Sequence, residues 1–505
     1  MLLIKRTHGI KSSVISLWDL PEEVLEQILA EIEQQRDLVN FACASRFCSQ
    51  LVIPRHTEYR VVRLGTTTSS HVWAHLARRP DLARNIREVH MEHVLDNFTA
   101  SYPREPMSLI EDVDREERTN TVQSQEMTTV LGRMSRLKSF SWDQQLQFST
   151  PLEPHNPPFA LVVLDVLQQT GSVDHLCLDI RDTFVDDEPV ENCALWKMSH
   201  LRSLVVLGHW NDWPITPRYN ENTLENWLNG LTSLELLRLP AGLLEKHHAS
   251  LFFPNLKCIK FATSSWDIEI NDTVLTFLGR HPSVEELIWD SHMMAPTYIH
   301  LPPNFLPNLR RFDGQYSLFL CLISQTESNS LSPRKFESLA LGWYPDDKYI
   351  DKLCSSSGID HQTLRFLSLG IHQTIRDVHK LAAAFPMIEE LSLPGLKKEV
   401  FSFDEFVSGL EQLKHLKVLY RDMIWCGLGI TKGGSDLELR DLELQLLVDK
   451  RINVLAKRCP ALTQISHPKV YGWLIVICRD KGEVSTRIQN VPSTSRFEFQ
   501  HYGFR

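Results

Sequence analysis

The sequence predicts an α/β fold in which a small N-terminal helical module precedes an irregular solenoid of strand and helix repeats. Two patterns carry this prediction: a helical spacing of apolar residues over residues 17–54, and an apolar strand motif that recurs along most of the later chain. We expect an N-terminal tail over residues 1–16, the module over 17–54, the solenoid over 59–468, and a hairpin cap with a tail over 469–505.

The first helix of the module is predicted from one apolar stripe. Residues at helical spacing form a seam of about three turns, made by Pro21, Val24, Leu25, Ile28, Leu29 and Ile32. Asp19 is placed to cap free backbone N–H groups, and Pro21 suits the first turn. Asp37 is expected to cap a second short helix that carries Leu38 and Phe41. The module is therefore predicted to consist of short amphipathic helices.

The order and spacing of these residues resemble the F-box. Leu20-Pro21 opens the first helix, and Asp37-Leu38 through Ser45 covers the second. F-boxes bind the Skp adaptor of SCF ubiquitin ligases. The resemblance therefore implies seven contact positions for that adaptor, namely Leu20, Pro21, Val24, Leu25, Ile28, Leu38 and Phe41. The alternative is an ordinary helical hairpin packed into the protein's own core. The apolar periodicity alone would favour that hairpin, but the spacing of the motif favours the F-box.

The solenoid is predicted from an internal repeat of the form Φ-x-x-Φ-x-Φ, where Φ is mostly Leu, Ile, Val, Phe or Trp. Its clearest copies are Leu234-Leu237-Leu239, Leu256-Ile259-Phe261, Val284-Leu287-Trp289, Phe336-Leu339-Leu341, Leu364-Leu367-Leu369 and Ile388-Leu391-Leu393. Between weaker copies at Leu137 and Leu416, ten steps span 279 residues, so the mean period is 27.9. The last two Φ residues face one side of a strand, so each unit leaves an apolar face that the next unit must cover.

The segments between the strand motifs are predicted to be helices or loops. Helices are expected over Glu221–Leu231, Val274–Gly279 and Ile375–Phe385. Residues 101–126 are acidic and contain few large apolar residues, and residues 426–436 are rich in glycine, so both are predicted loops.

The repeat period lies in the range of leucine-rich repeats. An F-box followed by degenerate repeats, together with the passage over residues 44–64, is similar to the fungal-type F-box family with leucine-rich repeats. This resemblance implies a parallel sheet on the concave side, with helices and loops outside. The regular Asn or Cys that follows each strand in such repeats is missing here. Tyr471–Cys478 and Val484–Ile488 are predicted to form a hairpin that caps the last repeat.

Composition argues against several classes of partner and location. The formal net charge is −10, which opposes nonspecific binding to nucleic acid or an anionic membrane. The chain has no apolar run of the ~20 residues needed to span a bilayer, and its start does not read as a secretory signal. Ten cysteines without a C-x-x-C pair indicate neither a disulfide framework nor a zinc site. We expect a protein of the cytoplasm, the nucleus or both, with no nucleic-acid or membrane partner.

Catalytic motifs are weak. The glycines of Gly427–Ser435 do not follow P-loop order, and neither a G-x-S-x-G elbow nor an H-E-x-x-H helix occurs. The sequence therefore predicts a protein that is not an enzyme and has no catalytic residue, cofactor or metal site.

Tryptophans that follow their strands are candidates for a target-binding rim. They are Trp210, Trp213, Trp266, Trp343 and Trp425, with the acidic neighbours Asp212, Asp267, Asp346 and Asp347. Such a rim would suit a basic or aromatic peptide. We select Trp266, Trp343 and Trp210 as candidate target-binding residues, with Phe366 on the predicted concave face. The alternative is that these tryptophans fold loops back onto the core. It is favoured because large aromatic side chains are usually well buried.

Taken with the family resemblance, these patterns predict a substrate-recognition adaptor of an SCF-type ubiquitin ligase. The module would dock on the Skp adaptor and, through it, on cullin and RING subunits, while the repeats would hold an unknown protein target. Two alternatives remain open at this point: a Skp-binding scaffold that acts without a cullin, and a plain leucine-rich-repeat interaction protein.

Overall fold

The computed structural model describes residues 20–32, 35–53, 56, 60–64, 69–92, 120–143, 159–179, 193–207, 221–240, 250–262, 272–290, 301–302, 304–328, 332–342, 349–370, 374–393, 403–420, 441–466, 473–480 and 483–490. The chain divides into two compact units. The first comprises Met1–Gly208 and Pro214–Ser233, and the second includes Leu234–Arg505.

The helical module belongs to the first unit. Its helices are α1 (Glu22–Glu31), α2 (Gln35–Ala42) and α3 (Arg46–Val52). Pro21 is the N-cap residue of α1. The cap predicted at Asp19 lies outside the described residues and stays a prediction. Helix α2 starts before Asp37, which lies in its first turn.

Helix α3 shows why the motif ends in a serine. The Ser45 hydroxyl accepts a hydrogen bond from the Cys48 backbone N–H at 3.1 Å, so Ser45 is the N-cap of α3.

The rest of the first unit consists of parallel strands with helices between them. The strands are β1 (Val61–Leu64), β2 (Glu88–Glu92), β3 (Ser139–Asp143), β4 (His175–Asp179) and β5 (Ser203–Leu207). The helices are α4 (Ser69–Arg78), α5 (Pro80–Ala83), α6 (Asn120–Arg133), α7 (Phe159–Thr170) and α8 (Glu221–Gly230), with a 3₁₀ turn at Ala194–Lys197. The predicted loop over 101–126 was too long, because α6 already begins at Asn120.

The second unit continues the same strand and helix alternation. Its parallel strands are β6 (Leu236–Pro240), β7 (Cys258–Ala262), β8 (Glu286–Asp290), β9 (Arg311–Gly314), β10 (Ser338–Leu341), β11 (Phe366–Leu369), β12 (Glu390–Ser392), β13 (Val418–Tyr420) and β14 (Gln464–Ser466). Its helices are α9 (Asp272–Gly279), α10 (Tyr316–Ser328), α11 (Tyr349–Ser355), α12 (Ile375–Ala384), α13 (Phe403–Leu410) and α14 (Asp441–Arg458). The predicted loop over 426–436 lies outside the described residues.

The sheet of the second unit ends in an antiparallel hairpin. Strand β15 (Trp473–Asp480) pairs with β14 and then with β16 (Glu483–Asn490), antiparallel in both cases. The pairing between β15 and β16 covers all eight residues of each strand, so the hairpin is longer than the sequence predicts.

The Φ positions form the core of each unit. In the second unit Leu237, Ile259, Leu287, Phe312, Leu339, Leu367 and Leu391 are each at most 1 % exposed, and strand register aligns them in one row. Trp142 and Trp289, which the motif places at core positions, are buried as well. The predicted α/β fold of leucine-rich-repeat type is confirmed, because one strand per repeat contributes its apolar side to the core.

Charged residues that directly precede the strands of the second unit alternate in sign. We call this row the entry ladder, and it consists of Glu235, Lys257, Glu285, Arg310, Glu337, Arg365, Glu389 and Lys417. From Lys257 onward, each backbone N–H donates to the carbonyl of the ladder residue one strand earlier. Side-chain ion pairs join Lys257 to Glu235 at 3.1 Å and Lys417 to Glu389 at 2.6 Å. Backbone and side chains therefore hold neighbouring strands in the same register.

Candidate functional site

The helical module has a small core of its own. Its buried residues are Leu25, Leu29, Leu38, Ala42, Leu51 and Val52. Leu20, Ile32 and Phe41 are partly buried and pack against this core. One side of the α1 stripe is thus used inside the module.

The other side of the same stripe faces solvent. Val24 is 37 % exposed and Ile28 is 38 % exposed, one helical turn apart on α1. Val39, Phe47 and Ile53 are each 45 % exposed. Among the described residues, the one large hydrophobic side chain outside the module with comparable exposure is Phe252. A concentration of exposed apolar groups in one short segment is typical of a protein interface.

The structure divides the seven predicted adaptor contacts. Val24, Ile28 and Pro21 are exposed, whereas Leu20 and Phe41 are partly buried at the edge of the module core. Leu25 and Leu38 need correction, because they are 2 % and 0 % exposed and present almost no surface to a partner. Their apolar character serves the module core. Adaptor contact at the other five positions stays a prediction.

A buried arginine attaches the module to the first strand. Arg60 is 4 % exposed; its Nη2 donates to the Leu29 carbonyl at 2.7 Å, and its Nη1 donates to the Ile32 carbonyl. Ile32 is the C-cap residue of α1, and its N–H also donates to the Leu29 carbonyl at 3.3 Å, so Arg60 adds donors where the regular helical pattern ends. Burial lowers the pKa of Arg60 to about 10, with further lowering by Arg87 and Arg136, so the side chain remains charged at neutral pH.

A second polar contact joins α1 to His56, which lies between α3 and β1. His56 Nε2 lies 2.8 Å from Glu26 Oε2 on α1, and His56 is 1 % exposed. Burial lowers the pKa of His56, although the hydrogen bond and charge of Glu26 act in the opposite direction. The module is therefore fixed to the first repeat by side chains, in addition to the chain connection.

The predicted target-binding residues have mixed outcomes. Trp210, Trp266 and Trp343 lie outside the described residues, as do Trp213 and Trp425. Phe366 lies on the strand face opposite the Φ residues and is partly buried. We call this face, made by the strand residues that alternate with the Φ positions, the variable face.

The variable face of the second unit carries an aromatic cluster that sequence reasoning missed. Val418, Tyr420 and Leu474 are buried together, and Phe366 packs against them. The Tyr420 hydroxyl donates to Glu390 Oε2 at 2.9 Å. These residues come from four different strands, so only the strand register reveals their proximity. A face that combines apolar, aromatic and acidic side chains can bind a protein segment.

The described residues offer neither a metal site nor a membrane-spanning helix. They contain no group of three or more His, Cys, Asp or Glu side chains that could hold a metal ion. Within the same residues, no helix combines the length and apolar character that a membrane crossing requires.

Comparison with known proteins identifies similar structures but no family. No family model and no curated protein matches the chain. Similar solved structures include the Rad7 and Elc1 complex of yeast, at 12 % identity over 88 % of this chain and 87 % of that chain, with a TM-score of 0.40. Another is the leucine-rich-repeat-containing protein LegL7 from Legionella pneumophila, at 11 % identity over 84 % of this chain and 92 % of that chain, with a TM-score of 0.27. At these identities the likeness concerns the fold alone.

Proposed function

We propose that this chain is a substrate-recognition adaptor of an SCF-type ubiquitin ligase. The helical module docks on a Skp-type adaptor, and the variable face of the repeats binds a protein target. The observation that carries this proposal is the set of exposed apolar side chains on the module: Val24, Ile28, Val39, Phe47 and Ile53. Val24 and Ile28 are contact positions that the F-box resemblance implies, and the exposure of all five side chains makes them available to a second chain.

The physical reason for a partner is the number of these groups in a short segment. Single exposed apolar residues are normal on a soluble protein. Removing apolar surface from water is favourable by about 25 cal/mol per Å², so several such side chains on one small module contribute to association against its entropic cost. Fixation by Arg60 and His56 means that a docked adaptor would hold the first repeat in a defined position.

The role needs no active site in this chain. A receptor that holds a target close to a charged conjugating enzyme raises the effective concentration of the target's lysines. The attacking amine, the activated ubiquitin and the acid–base groups are all supplied by other molecules. The residues of this chain have to bind and orient.

Comparative affinity purification with the proteasome blocked tests the proposal. Wild-type protein should recover a Skp-type adaptor, a cullin and a specific target. Ile28→Asp should lose the adaptor and cullin but retain the target, because a charge at an apolar interface must be desolvated without a partner. Phe252→Asp is the matched control, since Phe252 is 54 % exposed and lies outside the module.

Three outcomes separate the alternatives. Recovery of adaptor without cullin from wild-type cells would favour the scaffold that acts without a cullin. Recovery of neither would favour a plain leucine-rich-repeat interaction protein. Wild-type levels of adaptor on a folded Ile28→Asp variant would show that this face of α1 is not the docking surface.

A further inference from the structure

The variable face changes character in the last repeats. From β10 to β14 its described residues are Ser338, Ala340, Phe366, Ser368, Glu390, Ser392, Val418, Tyr420, Gln464 and Ser466. Glu390 is the one charged residue among them. By contrast, the earlier strands β6 to β9 carry Arg238, Lys260, Glu286, Arg311 and Asp313 on this face, and Arg311 lies 3.6 Å from Glu286. Among the described strand residues of this face, Glu390 is therefore the one charged residue from β10 to β14.

Glu390 lies between apolar neighbours. In strand register it is paired with Phe366 on β11 and with Val418 on β13. The rings of Phe366 and Tyr420 have centroids 6.4 Å apart and are tilted by 53°. The Tyr420 hydroxyl, at 2.9 Å, orients the carboxylate. Since Tyr420 packs with Val418 and Leu474, the hydroxyl itself is held in place by the cluster.

This combination of groups fits one kind of ligand particularly well. A guanidinium is planar and weakly hydrated, donates paired hydrogen bonds to a carboxylate, and stacks on aromatic faces. A cation over an aromatic ring gains further from the ring's quadrupole. Phe366 and Glu390 are both partly exposed, so a side chain from another protein can reach them. The net charge of −10 also favours the approach of a basic segment.

We propose that Phe366, Glu390 and Tyr420 form a subsite for an arginine side chain of the protein target. The carboxylate of Glu390 accepts from the guanidinium, and the partly exposed ring of Phe366 stacks on it. Tyr420, which is buried, acts by orienting the carboxylate. This inference rests on the proposed function, because it specifies the chemistry of the target segment. A partner segment would lie along the variable face, with its arginine over β12.

A peptide selection tests the subsite without knowledge of the target. Random 12-residue peptides displayed on phage are selected on the full-length wild-type protein, and the best binders are synthesised with arginine, lysine or citrulline at the enriched position. We expect enrichment of arginine, a weaker lysine peptide, and a citrulline peptide that loses affinity about tenfold or more, since citrulline keeps the shape but removes the charge.

Two glutamates that are adjacent in sequence provide matched variants. Glu390→Gln should weaken the arginine peptide about tenfold or more. Glu389→Gln, on the entry ladder beside Lys417, should leave its affinity within about twofold. Tyr420→Phe, which keeps the ring but removes the hydroxyl that orients Glu390, should give an intermediate loss. Thermal melting of each variant confirms that the fold is retained.

Several results would contradict the arginine subsite. Selection that yields no binding peptide, or binding peptides without arginine enrichment, overturns the subsite. Equal affinity of the arginine and citrulline peptides, or equal losses for Glu389→Gln and Glu390→Gln, does so as well. Adaptor binding measured on the same preparations keeps the two proposals apart, because a wild-type protein that binds the adaptor but shows no arginine preference contradicts only the subsite.

Discussion

The helical module and the repeats differ in how completely they bury their apolar side chains. In the repeats, a Φ residue such as Leu367 is fully buried because the neighbouring repeats cover it. In the module, α1 carries two apolar columns, of which Leu25 and Leu29 face the core while Val24 and Ile28 remain exposed. Nothing in the described part of the chain covers the second column. The contrast teaches that the described Φ rows of the repeats are closed by neighbouring repeats, whereas α1 leaves one apolar column exposed.

The largest expected effect concerns the repeat core. Leu367→Ala should lower the free energy of unfolding by ~2–5 kcal/mol, because the truncation leaves a cavity in a closed row of side chains. Ser338→Ala, on the half-exposed variable face, should change it by no more than ~0.5 kcal/mol. Ser368 and Ser392 are poorer controls, since both are buried on that face. Denaturant titration measures the difference, and equal losses would break the contrast between the two strand faces.

The next effect concerns the joint between module and repeats. Arg60→Met should remove the donors to the Leu29 and Ile32 carbonyls and destabilise the module by ~1–3 kcal/mol. Hydrogen exchange of the α1 amides should accelerate, while exchange in β11 stays unchanged. Arg84→Met, at an exposed arginine of the same unit, is the control. Unchanged exchange in α1 would mean that Arg60 does not couple the two parts.

A pH effect should arise inside the repeats. His281 is buried; its Nε2 accepts from the Phe253 N–H at 3.0 Å, and its Nδ1 lies 2.8 Å from the Phe277 carbonyl, so the ring fits its neutral form. Burial lowers the pKa of His281 below its usual 6.5. Between the lowered pKa and 6.5 the unfolded chain binds more protons, so the stability is fully present above pH 6.5 and is lost as pH falls through the folded-state pKa.

The comparison of wild type with His281→Gln isolates this effect. His56 also has a lowered pKa and titrates in the same direction, so the pH slope of the wild type alone would mix the two groups. We expect the stability difference between wild type and variant to shrink as pH decreases from 8 to 5. A difference that stays constant over this range would contradict the assignment of the neutral ring to the folded state.

The smallest effect belongs to the entry ladder. Arg310→Glu places a third acidic group between Glu285 and Glu337, yet exposed ion pairs contribute at most ~1 kcal/mol. Adding Glu337→Arg should recover part of the loss in a double-mutant cycle. A coupling free energy indistinguishable from zero would show that the backbone hydrogen bonds alone fix the register.

The features of the fold that follow from the apolar repeat pattern could be predicted from the sequence. The Φ residues could be assigned to the core because strand alternation and repeat stacking leave one arrangement for them. The division of the α1 stripe could not be predicted, since Val24 and Leu25 lie about 100° apart, at the two sides of one broad apolar stripe, and only packing decides which side turns inward. The motif alone therefore cannot show that Leu25 on α1 and Leu38 on α2 are buried in the module core.

Contacts between distant residues were also beyond the sequence. Arg60 reaches the carbonyl oxygens of Leu29 and Ile32, and no local pattern marks that contact. Glu390 acquires its neighbours Phe366 and Tyr420 through strand register. The tryptophans selected as a rim lie outside the described residues, so their role stays a prediction.

The most direct test of the account is the affinity of the purified full-length chain for a purified Skp-type adaptor. Isothermal titration should show that Val24→Asp and Ile28→Asp each weaken binding by ~2 kcal/mol or more, about thirtyfold, with melting temperatures close to wild type. Phe252→Asp should bind as wild type does. Dissociation constants within twofold of wild type for both α1 variants, in folded protein, would contradict the claim that the exposed column of α1 is a docking surface.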